Sequence, residues 1–311
     1  MGIFQNRDQY EGYNIYSMKK YVDKKRITFI IIAIVAIIIT LLLSIYYLID
    51  TTIRVKNAKE FAKQITEFQQ KQQQDVENKK REEEKEKQAK IPKLTEQGRE
   101  NLKNIYHAEG KNAYLTFDDG PSNNTHQILD ILKQYNIKAT FFVLGSQVKV
   151  FPETTNRIYD EGHYIANHGY SHKYSIIYQS PEQVLNEFNQ CNEIVAKTIN
   201  VPEYNSHLFR FPGGSVGGKY AELKAQASEL LDQNNVLHVD WNSLTGDSEK
   251  SNPTEEYLMD NLQKTTDGKN NIIVLMHDAQ AKQITAEILP KVIEYLQQQG
   301  YVFKNFYDVI K

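Results

Sequence analysis

The sequence predicts a parallel α/β domain in its C-terminal part, preceded by a transmembrane helix and a charged helical spacer. Between residues 107 and 311, seven short apolar runs alternate with amphipathic segments, which is the pattern of repeated β/α units. Upstream of them, an uncharged apolar stretch of 23 residues is followed by an almost wholly polar segment. A doubly wound sheet and an incomplete barrel both accommodate this alternation, and periodicity does not choose between them.

The first element is the uncharged stretch Ile27–Ile49. At about 1.5 Å per helical residue, it is long enough to cross a hydrocarbon layer of about 30 Å. A cleavable signal peptide is the alternative, but its apolar core is shorter and a small-x-small cleavage pattern should follow it. We therefore predict a single-pass membrane anchor at 27–49. Five basic residues closely precede it and four follow it, and the cluster Lys24-Lys25-Arg26 favours a cytoplasmic segment 1–26 and an extracellular C-terminal part.

The second element, residues 50–106, is a predicted extracellular spacer. To about residue 95 it is polar with alternating charge, which suits a solvated helix with Glu/Lys pairs four residues apart. An apolar stripe begins at Phe61 and does not continue past Val76, so a sustained coiled coil is not expected. Pro92 is expected to mark the end of the helix.

The third element, residues 107–311, contains the alternating pattern. The predicted strands are Ala113–Phe117, Ala139–Leu144, Tyr164–Ala166, His207–Phe211, Val236–Trp241, Asn271–Met276 and Tyr301–Phe306. The predicted helices are Thr125–Tyr135, Thr154–Glu161, Pro181–Ile199, Lys219–Gln233, Thr254–Lys264 and Ala281–Gln299.

Composition excludes some classes of function. The formal net charge of −2 argues against nucleic-acid binding as the main role. Cys191 is the only cysteine, which excludes an intramolecular disulfide and a cysteine-rich zinc site.

Several predicted strands are followed by polar residues, at the place where parallel β/α folds gather active-site groups. Asp118 and Asp119 end the first strand, and the Gly-Pro pair after them breaks the pleat, so both carboxylates can turn toward one cavity. A solvated Asp-Gly turn that caps the next helix is an equal alternative. His168 and His172 are four residues apart and reach one metal ion if the segment is helical or tightly looped, although unligated histidines are the commoner case.

Three further strand ends carry candidate residues. Arg210 precedes a flexible loop and would hold a carboxylate through paired hydrogen bonds, or form an ordinary surface ion pair. Trp241, the only tryptophan, either walls a sugar site or packs in the core; Asp240 precedes it and Asp247 follows six residues later. His277 closes an aliphatic strand. Four other histidines are interpreted as structural or surface residues: His126, His163, His207 and His238.

Together these segments resemble the NodB-like polysaccharide deacetylases, carbohydrate esterase family 4. The resemblance covers about residues 107–311 and includes all five family motifs: TFDDGP at 116–121, HGYSH at 168–172, RFPGG at 210–214, DWN at 240–242 and LMH at 275–277. It implies a distorted parallel (β/α) barrel of seven or eight strands that removes acetyl groups from N-acetylglucosamine polymers or acetylated xylan.

The resemblance also implies a chemical role for each matching residue. Asp118 corresponds to the general base, Arg210 to the arginine that orients it, and His277 to the general acid. Asp247 best fits the aspartate that tunes this histidine, with Asp240 as the alternative.

A metal site and substrate contacts are implied in the same way. Asp119, His168 and His172 correspond to the ligands of one divalent ion, zinc by first choice, while cobalt, nickel and iron also suit two nitrogen ligands and one oxygen. Leu275 would line the pocket for the acetyl methyl group, and Trp241 would pack beside the sugar.

Two positions depart from the family pattern. Gly169 stands where Ser or Thr often follows the first metal histidine, which removes a loop hydrogen bond without removing a ligand. Gly213 stands where the third motif commonly ends in an aromatic residue, although its backbone N–H can still stabilise an oxyanion.

The predicted function is metal-dependent hydrolysis of N-acetyl groups on a cell-surface polysaccharide. An outward-facing domain meets the cell wall, so N-acetylglucosamine of peptidoglycan is the first expected substrate, ahead of poly-N-acetylglucosamine, chitin oligomers and acetylated xylan. The rivals are a non-catalytic wall-binding protein on the same fold and a membrane-tethered interaction protein that acts through residues 51–95. The expected partners are a glycan and the membrane, not nucleic acid.

Overall fold

The protein's computed structural model describes residues 15–310, with side chains from residue 23 onward. The chain divides into two compact units between Glu82 and Glu83. The first 14 residues of the predicted cytoplasmic segment lie outside the described residues.

Helix α1 (Ile15–Ala89) contains the apolar stretch and most of the polar segment that follows it. From Asp23 onward it includes an apolar window of mean hydropathy 3.1 that is not buried within the protein. Among residues 15–310 this is the one helix long and apolar enough to cross a membrane, a property that N-terminal signal sequences share. The helix ends shortly before Pro92, where the sequence predicts its end.

The second unit alternates strands and helices, as the sequence predicts. Its strands are β1 (Asn112–Asp118), β2 (Thr140–Val143), β3 (Tyr164–Asn167), β4 (Leu208–Phe209), β5 (Leu237–His238), β6 (Ser243–Leu244), β7 (Asn271–His277) and β8 (Val302–Lys304). Its helices are α2 (Glu96–Lys103), α3 (Asn123–Gln134), α4 (Gly145–Val150), α5 (Pro152–Asp160), α6 (Tyr174–Ile177), α7 (Pro181–Thr198), α8 (Ala221–Gln233), α9 (Glu255–Thr266), α10 (Gln283–Gln298) and α11 (Tyr307–Ile310). A 3-10 turn (Ile105–His107) precedes β1.

The eight strands form one parallel sheet in the order β5-β4-β3-β2-β1-β7-β6, and β8 also pairs with β1. The edge strands β5 and β6 are joined by residues 239–242 alone. A linker of this length spans at most about 18 Å between its flanking Cα atoms. The sheet therefore curls until its two edges approach each other, which confirms the predicted distorted barrel.

The curled sheet has an apolar layer on each face, because alternate residues of a strand point to opposite sides. Leu115 and Phe117 of β1 belong to the layer packed under the surrounding helices. Tyr114 belongs to the layer inside the curl. Thr116 and Asp118 share the face of Tyr114, so the alternation directs Asp118 into the barrel where β1 ends.

The amino-terminal end of the barrel is closed by α2, the 3-10 turn and α11. Leu102 and Ile105 belong to the same interior cluster as Phe306 and Ile310. Helix α2 approaches α11 closely, since a Cβ atom added at Gly98 would lie 2.3 Å from the carbonyl oxygen of Ile310. The second compact unit begins at Glu83, ahead of residue 107, so part of the predicted spacer belongs to it.

Four strands are shorter than the sequence predicts, and one has no sequence signal. Strands β2 and β8 lose two and three of the six residues predicted for each. The predicted strands His207–Phe211 and Val236–Trp241 are reduced to β4 and β5, each of two residues. The chain leaves the ladder after each of them, where Arg210 and Asp240 turn toward the barrel end. Strand β6 also has two residues, too few to show a periodic pattern.

We predict that Leu102→Ala lowers the free energy of unfolding of a protein comprising residues 83–311 by about 2–5 kcal/mol. The leucine side chain is 7% exposed and fills the barrel end, so its loss leaves a cavity. Lys103→Ala removes an exposed side chain from the same helix and should change this free energy by less than about 0.5 kcal/mol. Urea-induced unfolding followed by circular dichroism measures the free energy of unfolding of both variants. Two equally small changes would show that α2 adds nothing to the core.

Candidate active site and metal centre

The curl of the sheet brings the carboxyl ends of its strands together, and the predicted site residues lie there. Strand β1 ends at Asp118, β3 is followed by His168, β4 is followed by Arg210, and β7 ends at His277. Asp118 and His277 are register partners on the neighbouring strands β1 and β7. The four side chains therefore meet at one end of the barrel.

Arg210 is fully buried and fixes Asp118 inside the barrel. Its Nη1 donates to Asp118 Oδ1 at 2.8 Å and to Thr116 Oγ1 at 2.8 Å, while its Nε donates to the carbonyl oxygen of Val239 at 3.2 Å. Burial raises the pKa of Asp118, and the charge and hydrogen bond of Arg210 oppose that rise. The carboxylate is held in one orientation, with Oδ2 3.9 Å from His168 Nε2.

Asp119, His168 and His172 form a cluster that fits one metal ion. Their ligand atoms all lie within 4.8 Å of one another, and Asp119 Oδ1 is 3.3 Å from His172 Nε2 and 3.6 Å from His168 Nε2. Ligand atoms bound about 2.0–2.1 Å from a tetrahedral zinc ion are about 3.4 Å apart, so this spacing suits such an ion. Asp119 Oδ1 is buried without a hydrogen-bond partner among residues 15–310, and a cation would satisfy it.

The backbone and the ring contacts also suit ligand roles. His168 Nδ1 lies 2.7 Å from the carbonyl oxygen of Arg210, so Nδ1 carries the proton and Nε2 is the free acceptor. Burial lowers the pKa of His168 to about 3, which leaves the ring neutral, the form that binds metal. Asp119 and His172 adopt left-handed backbone conformations, with φ of 75° and 55°, which are costly for non-glycine residues and concentrate at functional sites.

His277 and Asp247 form a second pair beside this cluster. His277 Nδ1 lies 2.8 Å from Asp247 Oδ1, and the backbone N–H of His277 donates to Asp247 Oδ2 at 2.7 Å. Burial lowers the pKa of His277, but the hydrogen bond and charge of Asp247, with the charge of Asp118, outweigh burial and raise this pKa to about 9. The imidazole is therefore protonated at neutral pH and can act as an acid.

Asp247, and not Asp240, is the aspartate that contacts His277. The Asp240 carboxylate instead accepts a hydrogen bond from the Ser215 backbone N–H at 3.0 Å and another from the Ser215 hydroxyl. Asp240 therefore holds the loop that follows Arg210. The geometry therefore favours Asp247 over Asp240 as the partner of His277.

The three predicted substrate-binding residues lie around this end of the barrel. Leu275 is buried two residues before His277, on the same face of β7. Trp241 is half-buried, with its ring 5.7 Å from the Arg210 guanidinium. Gly213 is exposed with φ of 77°, and a Cβ atom there would lie 2.3 Å from Tyr174 Oη. The Tyr174 side chain thus occupies the space that an aromatic residue at position 213 would need.

The four histidines interpreted as structural or surface residues bond elsewhere. Their partners are Thr154 for His126, Ala139 for His163, Asn235 for His207 and Ser228 for His238. None of these partners belongs to the metal cluster or to the His277 pair.

Sequence reasoning missed three residues that support the site. Glu187 accepts hydrogen bonds from the loop between the two metal-site histidines, and Thr285 and Lys282 donate to Asp247. Glu187 carried a signal, since it lies on the buried face of α7 between Val184 and Phe188, where an unpaired charge is costly. Thr285 and Lys282 carried none, because both residue types are ordinary near the start of a helix.

Known proteins resemble this chain in sequence and structure. Residues 106–230 match the family described as polysaccharide deacetylase. A peptidoglycan-N-acetylglucosamine deacetylase of Bacillus cereus is 32% identical over 206 residues, which cover 64% of this chain and 71% of that relative.

Two solved structures have the same fold. The catalytic domain of a peptidoglycan N-acetylglucosamine deacetylase from Eubacterium rectale is 31% identical with a TM-score of 0.58, covering 63% of this chain and 88% of that one. A carbohydrate esterase family 4 esterase from Streptococcus mutans is 28% identical with a TM-score of 0.61, covering 68% and 92%. With these matches added to the fold and to the geometry of the strand ends, the chain belongs to the polysaccharide deacetylases of carbohydrate esterase family 4, a family of hydrolases.

Proposed function

We propose that this protein hydrolyses N-acetyl groups of a cell-surface polysaccharide in a metal-dependent reaction that releases acetate. One observation carries the proposal: a carboxylate fixed by Arg210 and a histidine with a raised pKa end neighbouring strands beside a cluster of three metal-ligating residues. A binding module needs neither a fixed base nor a protonated acid at one site. Hydrolysis of an amide needs both.

The proposed topology follows from the apolar part of α1. Residues 1–26 are cytoplasmic, 27–49 cross the membrane, and 50–106 lead to an extracellular deacetylase domain at 107–311. The basic cluster directly before the span supports this orientation.

Asp119, His168 and His172 would hold one divalent ion, zinc by first choice, with cobalt, nickel or iron also compatible with the donor set. Such an ion supplies Lewis-acid polarisation of the acetamide carbonyl and lowers the pKa of an adjacent water molecule. Three protein ligands leave coordination positions free, as catalytic sites require.

Asp118 is the proposed general base. It accepts a proton from the attacking water as the water oxygen bonds to the acetyl carbon. Arg210 keeps the carboxylate oriented and favours its ionised form against the effect of burial. The backbone N–H of Gly213, which makes no hydrogen bond among residues 15–310, donates to the oxygen that becomes negative.

His277 is the proposed general acid. It gives its proton to the leaving amine as the C–N bond breaks, which frees acetate and leaves an amine on the sugar. Asp247 bonds Nδ1 and so leaves Nε2 for this transfer. Leu275 would line the acetyl methyl pocket, and Trp241 would lie beside the sugar ring.

Peptidoglycan N-acetylglucosamine is the proposed substrate. The names of the Bacillus cereus and Eubacterium rectale relatives support it, and so does a domain placed outside the membrane. Poly-N-acetylglucosamine, chitin oligomers and acetylated xylan contain acetyl groups that the same chemistry would remove.

We predict that the full chain, purified in detergent and supplied with zinc or cobalt, releases acetate from purified peptidoglycan. Asp119→Ala removes a ligand and should lower acetate release by more than about a hundredfold, the upper end for changes around metal ligands. A chelator should stop release by the parent chain. Asp260→Ala, an exposed aspartate on α9, should leave it unchanged.

Parallel assays with N-acetylglucosamine oligomers and acetylated xylan identify the substrate class. If the folded chain bound metal and released acetate from none of these polymers, the wall-binding rival would be favoured over the enzyme.

A second prediction concerns pH. The pKa of His277 is raised by Asp247, so the protonated acid is present below about pH 9 and is lost as pH rises through this value. Asp247→Asn removes the charge that raises this pKa, so the alkaline limb of kcat/KM should move to lower pH. The rate at the optimum should fall by less than the factor of about 10²–10⁴ that general acid catalysis contributes, because His277 itself is retained.

Thr285→Val is the matched control, because it removes one hydrogen bond to Asp247 but keeps the carboxylate charge. Its alkaline limb should move much less. An unchanged limb in Asp247→Asn would contradict the assignment of His277 as the acid.

A further inference from the structure

We infer that Glu187, on the buried face of α7, is a positioning residue for the metal site that acts through the loop 168–172. It holds this loop in the conformation that points His172 at Asp119. The inference rests on the proposed metal site and deepens it, since it names a carboxylate that sets metal affinity without touching the ion.

The contacts of Glu187 are concentrated on two consecutive loop residues. Its Oε2 accepts hydrogen bonds from the backbone N–H groups of Tyr170 at 2.8 Å and Ser171 at 2.7 Å. Its Oε1 accepts the hydroxyl of Ser171 at 2.9 Å. One side chain thus bonds three donors directly ahead of His172 and fixes the peptide that carries this ligand.

The two histidine ligands are held by different parts of the protein. The ring of His168 bonds the Arg210 carbonyl oxygen through Nδ1. The ring of His172 has no hydrogen bond to the protein in the described part of the chain; it lies 3.3 Å from Asp119 and 5.9 Å from the Tyr174 ring centre. Orientation of His172 therefore depends on its backbone, which has φ of 55° and needs outside support.

Gly169 explains why the support comes from a distant helix. It has φ of 87°, and a Cβ atom there would lie 3.2 Å from Ile177 Cδ1 and 3.4 Å from Glu187 Oε2. A serine or threonine would be strained at this backbone conformation, so the loop has no hydroxyl here to bond it internally. The Gly169 N–H instead bonds Asn167 Oδ1 at 2.8 Å, and Glu187 holds the following residues.

The charge of Glu187 is also unusual. Glu187 is 2% exposed, and no basic side chain among residues 23–310 forms an ion pair with it. A carboxylate buried among Val184, Phe188 and Cys191 is costly unless its bonds or a nearby cation offset desolvation. A cation held by the adjacent loop would provide this offset, which couples the residue to the metal.

The test is zinc affinity, measured on the full chain in detergent by competition with a chromophoric chelator. Glu187→Ala removes all three bonds and should weaken zinc binding by roughly 10–100-fold, the range for outer partners of metal ligands. Glu187→Asp keeps the charge but is one methylene too short, and should approach the alanine variant. Glu187→Gln keeps the reach and an acceptor oxygen, and should remain within about tenfold of the parent chain.

The absorption spectrum of bound cobalt is a second measurement, and a substitution at a residue with only a structural role would leave it unchanged. The absorption bands of bound cobalt report ligand geometry, so Glu187→Asp should change their intensity at a temperature where the protein is fully folded. Glu193→Gln, an exposed glutamate on the same helix, is the matched control and should alter neither affinity nor spectrum.

Zinc affinities within twofold of the parent chain for Glu187→Ala and Glu187→Asp, with unchanged cobalt spectra, would overturn the inference even if both variants were less stable. Failure of the parent chain itself to bind zinc would instead overturn the proposed metal site. The two failures are distinguishable because metal binding is measured without acetate release.

Discussion

The buried guanidinium of Arg210 is the interaction on which the rest of the site depends. Its side chain bonds Thr116 and Asp118 from β1 and the carbonyl oxygen of Val239 after β5, while its own backbone bonds Asn167 and the ring of His168. One residue therefore ties together the ends of three strands across the barrel interior. A buried ion pair of this kind adds little net stability, but it demands one geometry because a misplaced charge has no solvent to compensate it.

The curl of the sheet allows one side chain to reach the ends of several strands. In a flat sheet, the ends of β1 and β5 would be separated by the widths of the intervening strands, about 4.8 Å each. Val239 lies beside Arg210 because β4 and β5 are neighbours, whereas β1 is three strands away from β4. The curl of the sheet brings Asp118 at the end of β1 within reach of the Arg210 guanidinium. Leu102 and Ile105 fill the amino-terminal end of the barrel, opposite the site, and support the same curvature. The packing that curls the sheet therefore also positions the side chains of the site.

The sequence predicted the parts of the site that are local and left open the parts that depend on distance. Asp118, Asp119, His168 and His172 lie at the ends of β1 and β3, where alternation and turn residues mark them. The choice between Asp240 and Asp247 could not be made, because it depends on β6, whose two residues leave no pattern. Glu187 lies 15 residues beyond His172 in the sequence, and only the packing of α7 shows which loop it bonds.

The charges of the buried side chains favour a metal ion at this site. Arg210 offsets Asp118, and protonated His277 offsets Asp247. Among residues 23–310, neither Asp119 nor Glu187 forms an ion pair with a lysine or an arginine. One oxygen of Asp119 is buried without a hydrogen-bond partner, and Glu187 accepts two backbone N–H groups and the Ser171 hydroxyl. Their combined charge equals that of one divalent cation. A single ion beside Asp119 and the loop that Glu187 holds would offset both charges, so the burial of these carboxylates favours binding of the ion.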